Sequence, residues 1–279
     1  EGLNQADMVF EYFIGAQTKH ILALYYGNDY EHVGPLDDGK VIDARLTEHF
    51  QGHLVIGSAD GILENVLTNF LKDRHARRGY VGCPGICTET VAQGGLTFVD
   101  TAAVRETLAK NVSRAYSPKL FGFIFDETPA PSNDKALRYS YLYADFSVMD
   151  WRYDEEKGAY ALWQDKYVSP GKYTLAQSED RATGEPITFE NVVFLFTNYQ
   201  DYRKLFFDIN FNPGNLKQPG ILLRNGNLYP IHWGAASYDT PILIYDLQGE
   251  PMPLKPGKTW FTLTSLDSKL EKVSEGEWD

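Results

Sequence analysis

Cysteine is scarce in this chain: there are two, Cys83 and Cys87, in the run Cys83-Pro84-Gly85-Ile86-Cys87. That excludes a disulfide-dense scaffold, and a zinc site would need further ligands that do not stand nearby. A Pro-Gly turn can bring such a pair within bridging range, so a small disulfide is favoured over free thiols and would imply an oxidising compartment. Also absent is any run of about 18 apolar residues, the length that spans a bilayer as a helix. Basic residues are the minority charge, 26 against 38 acidic, for a formal net charge of −12. A general polyanion binder displays a basic surface that releases counterions, so nucleic acid is not an expected partner, the one local basic cluster being 72–78. No Gly-x-Ser-x-Gly elbow, P-loop or dinucleotide fingerprint occurs. The six histidines, at 20, 32, 49, 53, 75 and 232, lack HExxH-like spacing. No cofactor and no metal are therefore implied. The chain opens at Glu1-Gly2-Leu3 without a signal sequence, which reads as a processed or truncated end.

Aromatic residues, by contrast, are abundant, and the 18 tyrosines outnumber the 16 phenylalanines. Tyrosine joins an apolar ring to a polar tip, which suits half-exposed strand faces and also grooves for carbohydrate or peptide. Strand faces are the simpler reading. At 279 residues the chain is better divided into two domains than one, since single cores stop growing near roughly 250–300 residues.

The first part alternates. Strands are expected at 7–14 and 19–26 with a turn at 15–18, a helix up to Phe50 and a short buried strand at 53–57. A second helix, capped within Ser58-Ala59-Asp60, carries Ile62, Leu63, Val66, Leu67, Phe70 and Leu71 at helical spacing. An irregular segment holding both cysteines leads to a third helix, 101–111, with Asp100 at its N-cap. Turn chemistry then takes over at 128–135, and beyond it come closely spaced strands separated by turns such as Asn225-Gly226 and Pro256-Gly257. The expected architecture is α+β overall: an N-terminal α/β domain over 1–127, a linker at about 128–135 and a mostly β C-terminal domain over 136–279.

The stretch His32 to Arg45 reads as a strand end, a Gly-Pro turn and a helix start, a common place for a site in α/β proteins. Its centre holds Asp37 and Asp38, followed by Lys40 and Arg45. Adjacent carboxylates near a first helical turn can cap it or sit in a solvated turn; a cation site would need further carboxylates converging from elsewhere. Glu11 is the notable single carboxylate, on a strand with apolar neighbours. Pointing inward it would need a cation such as Lys40 or Arg45; pointing outward it is a solvated position. Trp233 and Trp260 are expected in the β core.

The opening run Gly2 to Glu11, then His32-Val33-Gly34-Pro35, and finally Thr183-Gly184-Glu185, Asn191-Val192-Val193, Asn225-Gly226, Trp233, Asp246-Leu247-Gln248-Gly249 and Pro256 to Trp260 form an ordered series. Together they resemble the YerB-like lipoproteins of the DUF3048 family, which have an N-terminal and a separate C-terminal domain. The resemblance covers essentially the whole chain and implies an extracytoplasmic protein, lipid-anchored through a segment and first strand preceding Glu1. It implies no activity. Members of that family carry Val-Gly-Pro, an aliphatic residue, then Arg-Ser, a small residue and Arg, a pattern suited to holding a phosphate or carboxylate. Here the aligned positions are Leu36, Asp37, Asp38, Gly39 and Lys40, so one cation survives and two carboxylates would repel an anion. The ligand-binding candidates are thus Glu11, Asp37, Asp38, Lys40 and Arg45. The expected function is noncatalytic binding of a cell-envelope glycan, peptide or protein. The alternatives are an enzyme acting on a cell-wall phosphodiester or pyrophosphate, and an intracellular adaptor.

Overall fold

The computed structural model describes residues 1–15, 18–91, 94–111, 121–144, 147–203 and 206–279. Most elements are strands, and among the described residues the three α-helices, Val41–His49, Gly61–Val66 and Thr101–Asn111, all lie in the first half of the chain. The fold is therefore mostly β rather than evenly mixed. The turn expected at 15–18 falls partly outside the described residues. The segment read as irregular around the cysteines contains a hairpin, Ile86–Val91 with Gly94–Val99, whose Thr-rich strands lack a clear apolar alternation. No helix among the described residues is long and apolar enough to cross a membrane.

Two sheets organise the molecule. Among the described residues the larger has nine strands, with the path Leu243–Tyr245, Asn227–Gly234, Gln218–Arg224, Asn191–Arg203, Thr259–Ser265, Met8–Gly15, Thr18–Leu24. The opening strand Met8–Gly15 lies parallel to Thr259–Ser265, with Phe10 opposite Phe261, and antiparallel to Thr18–Leu24. Residues from both sides of 128–135 thus share one sheet, and Asp134–Lys135 itself pairs with Asn227 and Leu228. The change in sequence character at 128–135 is not a break in the sheet. The smaller sheet has seven strands among the described residues, led by Lys172–Gln177, Ala159–Ser169, Ser147–Asp154 and Arg138–Ala144.

Period-two alternation divides the larger sheet between two cores. Phe10, Tyr12, Val193, Leu195, Phe261 and Leu263 face one side, where Ile42 and Leu46 of the helix Val41–His49 pack on them. Val9, Val192, Phe194 and Trp260 face the other, against Tyr139, Trp151, Tyr160 and Leu162 of the smaller sheet. Central strands buried on both faces read as unbroken apolar runs, as Val192 to Phe196 does. Trp233 and Trp260 are fully buried in these cores. The second helix continues into a wider π-type turn, Leu67–Leu71, whose end carries the Lys72 N–H to Leu67 O bond of 2.7 Å. Asp60 and Asp100 cap their helices: Asp60 Oδ1 accepts from the Ile62 and Leu63 amides, and Asp100 Oδ1 from Ala103. Cys83 and Cys87 are joined by a disulfide, their Cα atoms 4.8 Å apart.

Candidate functional site

The turn at 32–45 is stitched to the structure from both sides. Val33 exchanges backbone bonds with Val99, and the Leu36 amide donates to Thr97 O over 2.7 Å. Farther on, Gly57 N donates to Asp37 O over 2.8 Å and Gly39 N to Ser58 O over 2.9 Å. A Cβ on Gly39 would lie 2.8 Å from side-chain carbons of Ile56 and Leu63, so only glycine lets the turn lie this close to that strand and helix.

The acidic pair of the turn does not cap the helix that follows. Asp37, with a side chain 73% exposed, accepts the Asp38 amide through Oδ1, and Asp38 Oδ1 accepts the Ser58 hydroxyl over 2.5 Å. The capping carboxylate is Asp43, in the first turn of Val41–His49: its Oδ2 accepts the Lys40 amide over 2.8 Å. Asp43 is buried, and it also accepts the Tyr12 hydroxyl at Oδ1 over 2.6 Å, while His20 Nε2 stands 3.2 Å from Oδ2. His20 Nδ1 lies 4.0 Å from Asp37 Oδ2, so the imidazole bridges the buried carboxylate to the exposed one. Burial, then the negative charge of Asp43, hold the Tyr12 phenol well above its ordinary value, so Tyr12 is the proton donor in that bond.

The two cations of the turn are bonded to acceptors of the protein itself. Lys40 Nζ donates to Asp38 O over 2.9 Å. Arg45 makes a two-pronged bond to Asp208, Nε to Oδ1 at 3.1 Å and Nη2 to Oδ2 at 2.8 Å, which ties the helix to the strand Phe206–Asn210. Glu11 is separated from all of these by the pleat. Phe10 and Tyr12 face the helix, whereas Glu11 faces the smaller sheet, fully buried, with Lys19 Nζ 2.8 Å from Oε1 and Trp260 Nε1 donating to Oε2 over 3.3 Å. Its cation is Lys19, from the adjoining strand, rather than Lys40 or Arg45. The basic cluster at 72–78 is likewise engaged: Arg74 pairs with Glu48, and Arg77 with Glu64.

Of the five candidates, Asp37, Asp38, Lys40 and Arg45 therefore cluster, and Glu11 does not join them. Tyr12, His20, Asp43 and Asp208 complete the cluster and were not singled out from sequence. Asp43 stood three residues after Lys40, the spacing of a reciprocal cap, and Tyr12 and His20 are cross-strand partners in register. Chemically, the cluster ties two strands to the helix through Asp43, Tyr12 and His20, and the same helix to a distant strand through Arg45 and Asp208. Among the described residues no group of three or more His, Cys, Asp or Glu could hold a metal ion.

A second charged cluster lies on the outer face of the smaller sheet. Arg138 and Arg152 stand directly opposite one another on neighbouring antiparallel strands, an arrangement that is repulsive unless compensated. The compensation is Asp150, whose side chain is fully buried beneath them. Its Oδ2 accepts from Arg138 Nε at 2.7 Å and Ser140 Oγ at 2.9 Å, and its Oδ1 from Arg152 Nε at 2.7 Å. Burial alone would raise the Asp150 carboxyl, but these three hydrogen bonds outweigh it and hold the group below the usual carboxylate range. The Arg152 guanidinium also rests over the Trp163 ring, 4.1 Å from its centroid.

This architecture, two sheets packed through a shared aromatic core, accompanies a family match: residues 137–261 fit the model described as "Protein of unknown function (DUF3048) C-terminal domain". The chain matches that family model over its C-terminal part. It is homologous along its length to a Bacillus subtilis (strain 168) protein called "Putative lipoprotein YerB", at 21% identity over 99% of this chain and 80% of the relative. The crystal structure of the YerB protein from Bacillus subtilis has the same fold, with a TM-score of 0.71 and 18% identity over 94% of this chain and 84% of that one.

Proposed function

We propose that this protein is a noncatalytic binding protein of the cell envelope, held outside the cytoplasm, and that it engages a glycan, peptide or protein partner there. The observation that carries the reading is a projecting two-stranded arm. Among the described residues, Ala159–Ser169 pairs with Ser147–Asp154 as far as Gln164, and from Asp165 onward its register partners are on Lys172–Gln177. At the end of the arm Tyr167, Val168 and Tyr173 are 60%, 51% and 48% exposed, with the two tyrosine rings edge to face at 5.9 Å. A two-stranded ribbon is marginal by itself in water, and exposed paired tyrosines give it contact area at low entropic cost. The disulfide Cys83–Cys87 supports the oxidising compartment, and the homologue's name supports a lipoprotein.

The turn at 37–45 lends no support to phosphodiester chemistry, because its lysine and arginine are committed to Asp38 O and Asp208. A photo-crosslinking side chain placed at Tyr167, and in a control at the exposed Glu155, tests the reading in cells. A discrete adduct at 167 that is missing at 155 is the expected result. Identical patterns at both positions would overturn it.

A further inference from the structure

The outer face of the smaller sheet carries an open depression of about 490 Å³, lined by Leu137, Arg138, Arg152, Ser274, Glu275 and Glu277. Two guanidinium groups form one wall. Arg138 gives Asp150 its Nε and Nη2 and Arg152 gives it Nε, with side chains 42% and 38% exposed. Among the described residues none accepts a hydrogen bond from Arg138 Nη1 or from either terminal nitrogen of Arg152. Those donors are fixed in direction, because Asp150 holds each guanidinium at its root and Trp163 supports the second from below.

The other wall is acidic. Glu277 lies opposite Arg138 in the strand register, and its carboxylate accepts the Ser274 hydroxyl over 2.8 Å. Glu275 stands 3.1 Å from Lys272, which also approaches Asp134 at 3.7 Å. A simple anion entering here would gain the arginines but meet two carboxylates. A simple cation would meet the reverse. A molecule carrying both charges a few bonds apart satisfies both walls at once, and complementarity of this kind selects ligands more than it tightens them. The volume suits a molecule of amino-acid to short-peptide size.

We propose that this depression binds a zwitterion, an amino acid or short peptide whose carboxylate is taken by the outward nitrogens of Arg138 and Arg152 and whose ammonium group is taken by Glu277 and Glu275. The site is separate from the projecting arm, so it stands or falls independently of it.

The test follows the Trp163 indole N–H and the arginine Nε–H signals by NMR while dialanine is added to the full chain. The N-acetylated peptide, which is only an anion, and the peptide amide, which is only a cation, are titrated in parallel. Saturable shifts with dialanine at millimolar concentration are expected, with both blocked peptides weaker by about tenfold. Arg152→Gln should abolish the shifts. Should that variant fail to fold, Glu277→Gln combined with Glu275→Gln alters only the rim, and it should weaken dialanine while narrowing its advantage over the acetylated form. Tyr167→Ser should leave the titration unchanged. Equal affinity for dialanine and its acetylated form, or saturable shifts indifferent to the Glu277 and Glu275 changes, would overturn the proposal, as would no saturable shift at all.

Discussion

Arg45 and Arg152 are both arginines bonded to a buried or nearly buried aspartate, yet they do opposite things. Arg45 presents two nitrogens to the two oxygens of Asp208, and the pair closes on itself. Arg152 gives only Nε to Asp150, whose other oxygen belongs to Arg138 and Ser140, so its terminal nitrogens look outward. One carboxylate per arginine makes a clamp; one carboxylate shared by two arginines makes a pair of supported donors. Which outcome arises depends on the count of partners, and not on the charge of the segment.

The largest effect that sharpens this contrast is expected at Asp43. Asp43→Ala leaves the Tyr12 hydroxyl, the Lys40 amide and His20 without their acceptor in a buried place, and unfolding by urea should show a loss of about 3 kcal/mol. Next comes Arg45→Ala. Its partner Asp208 is mostly buried while Arg45 is partly exposed, so a smaller loss of about 1 to 2 kcal/mol is expected. Arg152→Ala should cost less again, about 0.5 to 1 kcal/mol, because Arg138 and Ser140 still hold Asp150. If Arg152→Ala proved as costly as Arg45→Ala, the open cluster would be a clamp too.

The pH dependence of stability separates interior from surface in the same way. His49 is fully buried, and desolvation lowers its value below the ordinary one, with its Nδ1 hydrogen-bonded to Thr240 O over 2.9 Å. A value lower in the folded than in the unfolded state means that stability is intact above the unfolded value near 6.5 and is lost as pH falls toward the folded value. The slope attributable to His49 is at most about 1.4 kcal/mol per pH unit, and His49→Gln should flatten it. His32 has the opposite sign. Partial burial would lower it, but hydrogen bonds to Glu89 and Glu1 outweigh that and raise it. Its contribution is present below the unfolded value and fades as pH rises through the folded one. Being a third exposed, it should register as the smallest effect of the series.

Much of the local structure was legible in the sequence, and the reasons are physical. The apolar run from Met8 to Ile14, the helical stripe from Ile62 to Leu71 and the caps at Asp60 and Asp100 are short-range signals. In the strand Ser147–Asp154, Met149, Trp151 and Tyr153 alternate with Asp150, Arg152 and Asp154, but the burial of Asp150 beneath two arginines depends on a neighbouring strand and is not a local signal. Sheet assembly was not legible, since nothing local tells Met8–Gly15 that its parallel partner is Thr259–Ser265. The site was half legible for the same reason. Asp37 to Arg45 stood out as a charged turn, but the acceptor that closes Arg45 is Asp208, 163 residues away, and the side of the sheet that Glu11 faces depends on which layers cover it.

The contrast between a closed and an open arginine cluster is tested most directly by following the arginine Nε–H signals of one sample through two titrations, dialanine and then inorganic pyrophosphate. With dialanine the signals of Arg138 and Arg152 should move together and saturate while that of Arg45 stays in place, and pyrophosphate should leave Arg45 unmoved. A saturating shift of Arg45 with pyrophosphate, while Arg138 and Arg152 remain still in both titrations, would contradict the account.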